Sequence, residues 1–114
     1  MNKNEFAVKS DEELMKLYQE GEQMAFELIF QRYSGKVLGF LSKRLFQAQI
    51  SQDLTQDVFL KLHRSRMQYT QSLAFAPWLF SITRNVWIDY LKKNKIEQPL
   101  DQAFLEKLAS APAP

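Results

Sequence analysis

Two carboxylates, Asp53 and Asp57, stand four residues apart, with Gln52 and Gln56 beside them. On a helix that spacing places both acids on one face, one turn apart. A carboxylate pair does acid–base work only with a partner: a histidine, a metal or a phosphate-cradling loop. The chain has one histidine, His63, and no cysteine. No second residue lies at metal-ligand spacing from it. There is no glycine-rich phosphate loop and no nucleophile elbow. The residues therefore point to recognition, with no enzyme activity, cofactor or metal expected. A second set supports this. Tyr69, Thr70, Gln71, Ser72 and Phe75 precede Arg84, Asn85, Lys92 and Lys93. Arginine and lysine hold phosphates, and asparagine offers a donor and an acceptor to a base edge. Aromatic rings beside a basic helix can stack on unpaired bases.

Charge sharpens the picture. Residues 1–30 carry a net −4, residues 31–95 a net +8 and residues 96–114 a net −2. A basic centre of that size attracts phosphate backbones, although a solvated basic surface has the same composition. At 114 residues, 46% hydrophobic and 25% charged, the chain suits one ordered domain. No apolar run is long enough to span a membrane, and the polar start Met1-Asn2-Lys3-Asn4 is unlike a signal peptide. Membrane insertion is not expected, and a cytoplasmic location follows by default.

The elements that must position these residues read as helices. Three glycines and four prolines leave long windows with no sustained period-two pattern. Ser10 and Glu13 form a capping-box signature, and Gly21 ends the short helix it opens. A long helix is predicted over about 22–46, with Phe26, Ile29, Phe30, Tyr33, Val37, Phe40 and Leu41 as its buried stripe. Gly35 and Gly39 in it suggest close approach of another helix. Ser51 is the predicted N-cap of the next helix, which runs to about Arg66 with Asp53 in its first turn. A polar linker over 68–72 leads to a last long helix, with Pro77 in its first turn and its end near Lys93. The expected fold is all-α, a compact bundle of four to five helices over residues 1–95. Residues 96–114 then form a linker, or a short helix capped by Asp101 and a frayed tail.

A helical wheel at roughly 100° per residue puts Leu54, Val58, Phe59 and Leu62 on a core face. Leu60 projects outward with Gln56, Asp53 and Asp57 around it. That is either a solvated face with one stray leucine or an apolar anchor with an acidic rim. On the last helix, Ser81, Arg84, Asn85, Ile88 and Lys92 share the polar side. Phe75 and Trp78 fit a core as well as a base-stacking platform.

Ser51-Gln-Asp-Leu-Thr-Gln-Asp-Val-Phe-Leu-Lys-Leu62, followed by Phe75-Ala-Pro-Trp-Leu-Phe-Ser-Ile-Thr-Arg-Asn-Val-Trp-Ile-Asp-Tyr-Leu-Lys-Lys93, resembles region 2 of bacterial RNA polymerase sigma factors. The extracytoplasmic-function (ECF) group is the nearest likeness. Asp11-Glu-Glu-Leu14, Gly21, Ala25-Phe26 and Arg32-Tyr33 look like the opening of the same domain, so the resemblance covers about residues 10–95.

The resemblance implies two partners. In that family this domain binds the clamp helices of the polymerase beta-prime subunit, and the matching positions are Asp53, Gln56 and Asp57, with Gln52 and Leu60 beside them. The family also opens the −10 promoter element and holds a flipped base of the non-template strand. The matching loop is Gln68 to Ala76, which includes Tyr69, Thr70, Gln71, Ser72 and Phe75. Arg84 and Asn85 match positions on the helix, and Lys92 and Lys93 extend its basic end. An anti-sigma factor covering the same faces is a further implied partner. The two binding faces are expected on opposed flanks. The family's second, −35-reading domain has no counterpart after Pro99, and Ala111-Pro112 reads as the start of an interdomain linker. A helical protein-interaction adaptor and a generic single-strand binder are the alternative readings.

Overall fold

The computed structural model describes residues 2–95. Helices α1 (Lys3–Ala7), α2 (Asp11–Gln19), α3 (Gln23–Leu45), α4 (Ala48–Ser65) and α5 (Phe75–Lys93) follow one another, with a single 3-10 turn at Arg66–Gln68. The described residues contain no strand, so the all-α expectation holds. The linker and Asp101-capped helix expected beyond residue 95 lie outside the described residues.

Local chemistry explains most boundaries. The Glu13 backbone N–H donates to Ser10 Oγ (3.1 Å), and the Ser10 N–H donates to Glu13 Oε1 (2.9 Å). That completes the capping box at the start of α2. Hydrogen bonding from Ser10, chiefly its backbone N–H, holds the Glu13 carboxyl below its usual range. Gly21, at φ 100°, makes the turn into α3, where a side chain would be strained. Helix α3 ends where Phe46 takes a left-handed conformation at φ 56°. That is a costly position for a large residue, and its ring is left exposed.

Helix α4 begins a turn earlier than predicted. Ser51 is not its N-cap. The Ser51 N–H already donates to the Gln47 carbonyl (3.0 Å), and its own carbonyl accepts from Thr55 Oγ1 (2.8 Å). Nothing in Gln47-Ala48-Gln49 breaks a helix, and Ile50 gains by packing against the core. The helix therefore extends back to Ala48, and Asp53 falls beyond the first turn. Ser51 is fully buried, with no hydrogen-bond partner for its hydroxyl among the described residues.

The core runs through all five helices. Leu14, Met15, Ile29, Val37, Leu41, Val58, Leu62, Phe75, Leu79 and Trp87 are fully or almost fully enclosed. Burial of such side chains stabilises by about 1.5–3 kcal/mol each. The expected stripe on α3 is too wide: Phe30 stays 42% exposed and Phe26 and Phe40 are half-buried. No neighbouring atom lies within contact distance of a side chain built at Gly35 or Gly39, so they mark no close helix approach. On α5, Ser81 and Ile88 are buried rather than outward-facing. The Ser81 hydroxyl donates to the Pro77 carbonyl (3.1 Å) and accepts from Arg84 Nη2 (3.2 Å), which removes the cost of enclosing it. Ile88 gains by leaving water.

Candidate docking and nucleic-acid interfaces

The periodicity of α4 delivers its acidic face to solvent. Leu54, Val58, Phe59 and Leu62 are buried, while Gln52, Asp53, Gln56, Asp57 and Leu60 are exposed. Leu60 is 46% exposed. Gln49 Nε2 donates to Asp53 Oδ1 (2.9 Å), which steadies one acid along the helix. The face continues onto α3 in a way the sequence reading missed. Phe30 sets its ring 4.8 Å from that of Phe59, edge to face. An apolar groove of about 350 Å³ runs between the helices, lined by Tyr18, Phe26, Phe30, Phe59, Leu60 and His63 with Gln23 and Gln56 at its edges. A second, of about 310 Å³, continues past Phe30 and Gln56 to Leu38 and Gln52. The only signal for Phe30 was an α3 stripe with more aromatic residues than one core can enclose.

His63 is exposed, and its Nδ1 shares a hydrogen bond with the Tyr18 hydroxyl. It ties α2 to the end of α4. Among the described residues no cluster of three or more His, Asp or Glu side chains is placed to hold a metal.

The second face starts at the loop after the 3-10 turn. Thr70, Gln71 and Ser72 are exposed, and the hydroxyls of Thr70 and Ser72 lie 2.9 Å apart. Tyr69 and Phe75 are not stacking platforms: they are 2% and 0% exposed. Their rings pack with Trp78, at 5.1 Å from Tyr69 and 6.1 Å from Phe75. Tyr33 adds a fourth ring, 5.2 Å from Phe75. The aromatic side chains close to the loop are thus its floor, because large rings gain more by excluding water than by facing it. The Tyr69 hydroxyl donates to the Leu73 carbonyl and closes the loop upon itself. Burial pushes that hydroxyl up to about 12, with the charges of Glu12 and Asp11 adding to the effect.

On α5, Asn85, Lys92 and Lys93 are exposed and Arg84 is half-buried against Ser81. Several of the basic residues counted in the central segment are engaged internally. Arg32 donates to Asp11 Oδ1 and to the carbonyls of Ala7 and Lys9, each at 2.9 Å. Arg44 stacks on the Phe40 ring at 3.6 Å, and burial lowers its proton affinity. Lys61 pairs with Asp89 at 3.6 Å. Lys36, Lys43 and Arg64 also face solvent, and Lys92, Lys93 and Lys95 group together at the end of α5.

The two faces meet. A groove of about 340 Å³ between α4 and α5 is floored by Leu54, Val86 and Tyr90 and edged by Asp57, Lys61, Asp89 and Lys93. Asp57 was expected on one flank and Lys93 on the other. Antiparallel packing of α4 on α5 brings both to a single groove.

Comparison with known proteins bears on what these faces serve. The family model described as Sigma-70 region 2 matches residues 29–96. The RNA polymerase sigma factor CarQ of Myxococcus xanthus is 36% identical over 81 residues, 71% of this chain and 47% of that protein. The ECF RNA polymerase sigma-E factor of Haemophilus influenzae is 31% identical over 97 residues, 85% of this chain and 51% of the relative. The ECF RNA polymerase sigma factor SigM of Bacillus subtilis is 31% identical over 85 residues, 75% and 52% of the two chains. The chain spans about half the length of the curated relatives it matches. No solved structure gives a significant match. With the helical order, the acidic face of α4 and the basic end of α5 in place, the match over most of α3 and all of α4 and α5 is decisive: the chain belongs to the sigma-70 region 2 family, of the ECF kind.

Proposed function

We propose that this domain directs RNA polymerase to promoters by joining two partners. The α4 face of Gln52, Asp53, Gln56, Asp57 and Leu60 docks on the clamp helices of the beta-prime subunit of core polymerase. The loop over residues 68–76, with Arg84, Asn85, Lys92 and Lys93 on α5, holds the unpaired non-template strand of the −10 element with one base turned out of the stack. Holding the single strand favours the open duplex by mass action, with no bond made or broken. Promoter recognition is therefore binding, not catalysis. An anti-sigma factor, the third proposed partner, regulates by covering these faces. Among the described residues no helix is long and apolar enough to cross a membrane, and we place the work where the polymerase is, in the cytoplasm.

The observation that carries the reading is the exposure of Leu60 between Gln56 and Asp57 in a chain of this family. An apolar anchor inside a polar and acidic rim suits a basic helical partner.

The test separates the two faces. Gln56→Ala with Asp57→Ala is expected to weaken binding to core polymerase by about tenfold or more, while single-strand affinity is kept or rises by up to about threefold at low salt, since Asp57 borders the groove of Lys93. Asn85→Ala is expected to reduce preference for a promoter-like strand over a scrambled one. A double variant with unchanged polymerase affinity removes the docking assignment. A wild-type chain that binds scrambled strands equally well leaves only a generic binder. Binding insensitive to salt would instead favour a protein-interaction adaptor.

A further inference from the structure

The loop between the 3-10 turn and α5 is fastened at both ends by a helix on the other side of the sequence. At its start, Gln19 Nε2 donates to the carbonyls of Arg66 (2.6 Å) and Tyr69 (2.7 Å). At its end, the Phe75 backbone N–H donates to Glu12 Oε2 (2.8 Å). Gln71 Nε2 also reaches the Glu12 carbonyl (3.4 Å). Glu12 and Gln19 are seven residues apart in α2, so they project from one face two turns apart.

The Glu12 contact does a job that the local sequence leaves undone. Ala74, at the N-cap of α5, has no side-chain oxygen and makes no capping bond. An uncapped start frays, and its first N–H groups need an acceptor. Glu12 supplies that acceptor from α2, and its charge faces the positive pole of a 19-residue helix. Glu12 itself is half-buried, and a carboxylate would repel a phosphate backbone. Its role at the loop is thus to hold, not to touch, the strand.

We propose that Glu12 is a positioning residue for strand capture, fixing the point where the loop enters α5 so that Thr70, Gln71, Ser72 and Asn85 face the strand in one arrangement. This rests on the reading of the loop as the strand-binding element. Without Glu12 the first turn of α5 frays and the loop samples several arrangements, so a bound strand must order it.

The experiment uses the 114-residue chain and a labelled single strand that the wild type selects from a randomised pool. Glu12→Ala is expected to lower affinity for that strand by about tenfold, the range of a lost helix cap. Affinity for core polymerase stays within about twofold, because α4 is untouched. Glu12→Gln keeps an acceptor oxygen and is expected to recover strand affinity to within about threefold of wild type. Hydrogen exchange at the Phe75 amide accelerates in Glu12→Ala and returns toward wild type in Glu12→Gln. Strand affinity unchanged in Glu12→Ala overturns the inference. So does a parallel loss of strand and polymerase affinity, which would mean that Glu12 only supports the fold. If the wild type selects no strand at all, the underlying reading of the loop fails first, and the inference falls with it.

Discussion

Asp57 on α4 and Lys93 on α5 border the same groove, with the Lys61–Asp89 pair at 3.6 Å between their helices. The acid proposed for the polymerase and the base proposed for DNA thus feel each other's field. Removing a charge from this groove should be read by both partners. Asp89→Ala takes a negative charge from beside Lys93, and strand affinity is expected to rise about twofold to threefold at low salt, an advantage that fades at about 0.5 M salt. Stability should change by less than about 1 kcal/mol, because Lys61 and Asp89 are both well exposed. Fluorescence anisotropy across a salt series checks the first, and urea unfolding the second.

Ser51 offers a sharper test of where α4 begins. Loss of an N-cap would cost about 1 kcal/mol. Loss of a buried hydroxyl without a partner should be neutral or stabilising by up to about 1 kcal/mol. Ser51→Ala is therefore expected to leave the urea midpoint unchanged or raised. A clear fall would restore the capping role.

Asp11 joins α2 to α3. Its carboxylate accepts from Arg32 Nη1 (2.9 Å) and from the Tyr33 hydroxyl (2.5 Å). Asp11→Ala strands both donors, and a loss of about 2 kcal/mol is expected. Asp11→Asn keeps one acceptor and should lose about half of that. Thermal unfolding of the two variants measures the order.

Phe30 should separate binding from stability. Its ring is 42% exposed and rests on Phe59. Phe30→Ser is expected to weaken polymerase binding by about tenfold while lowering stability by about 1 kcal/mol. A wild-type affinity for polymerase would exclude the α3 side of the groove from the interface.

Alkali should unfold the domain earlier than exposed tyrosines would suggest. Tyr69 is raised from its usual value of 10.0 to about 12, chiefly by burial. Tyr33 is raised as well, by burial and by its bond to Asp11. The folded state binds these protons more tightly than the unfolded state. The stability they contribute is complete below pH 10 and declines as pH rises toward 12. Melting temperatures measured between pH 9 and about 12 should fall through that window. A flat profile would place these hydroxyls in water.

What was legible in the sequence follows from what local chemistry decides. The capping box at Ser10 and Glu13, the turn at Gly21 and the extent of α5 were readable because each depends on residues within one or two turns. So was the exposure of Gln56, Asp57 and Leu60, which α4's own periodicity dictates once Leu54, Val58 and Leu62 are buried. Ser51 misled because a good capping residue also sits comfortably inside a helix when Thr55 and Ile50 extend it. Tyr69 and Phe75 misled because an aromatic residue beside a polar linker looks the same whether it faces water or the core. Only the rings of Tyr33 and Trp78, brought in from elsewhere, decide that. The fastening of the loop by Glu12 and Gln19 left no local trace at all.

The bond from Phe75 to Glu12 spans 63 residues of chain. Closing a segment that long costs chain entropy, and a single bond at the start of a helix can open locally without unpacking the core. Selectivity for one base over another should therefore fade under mild heat or denaturant while the helices still stand.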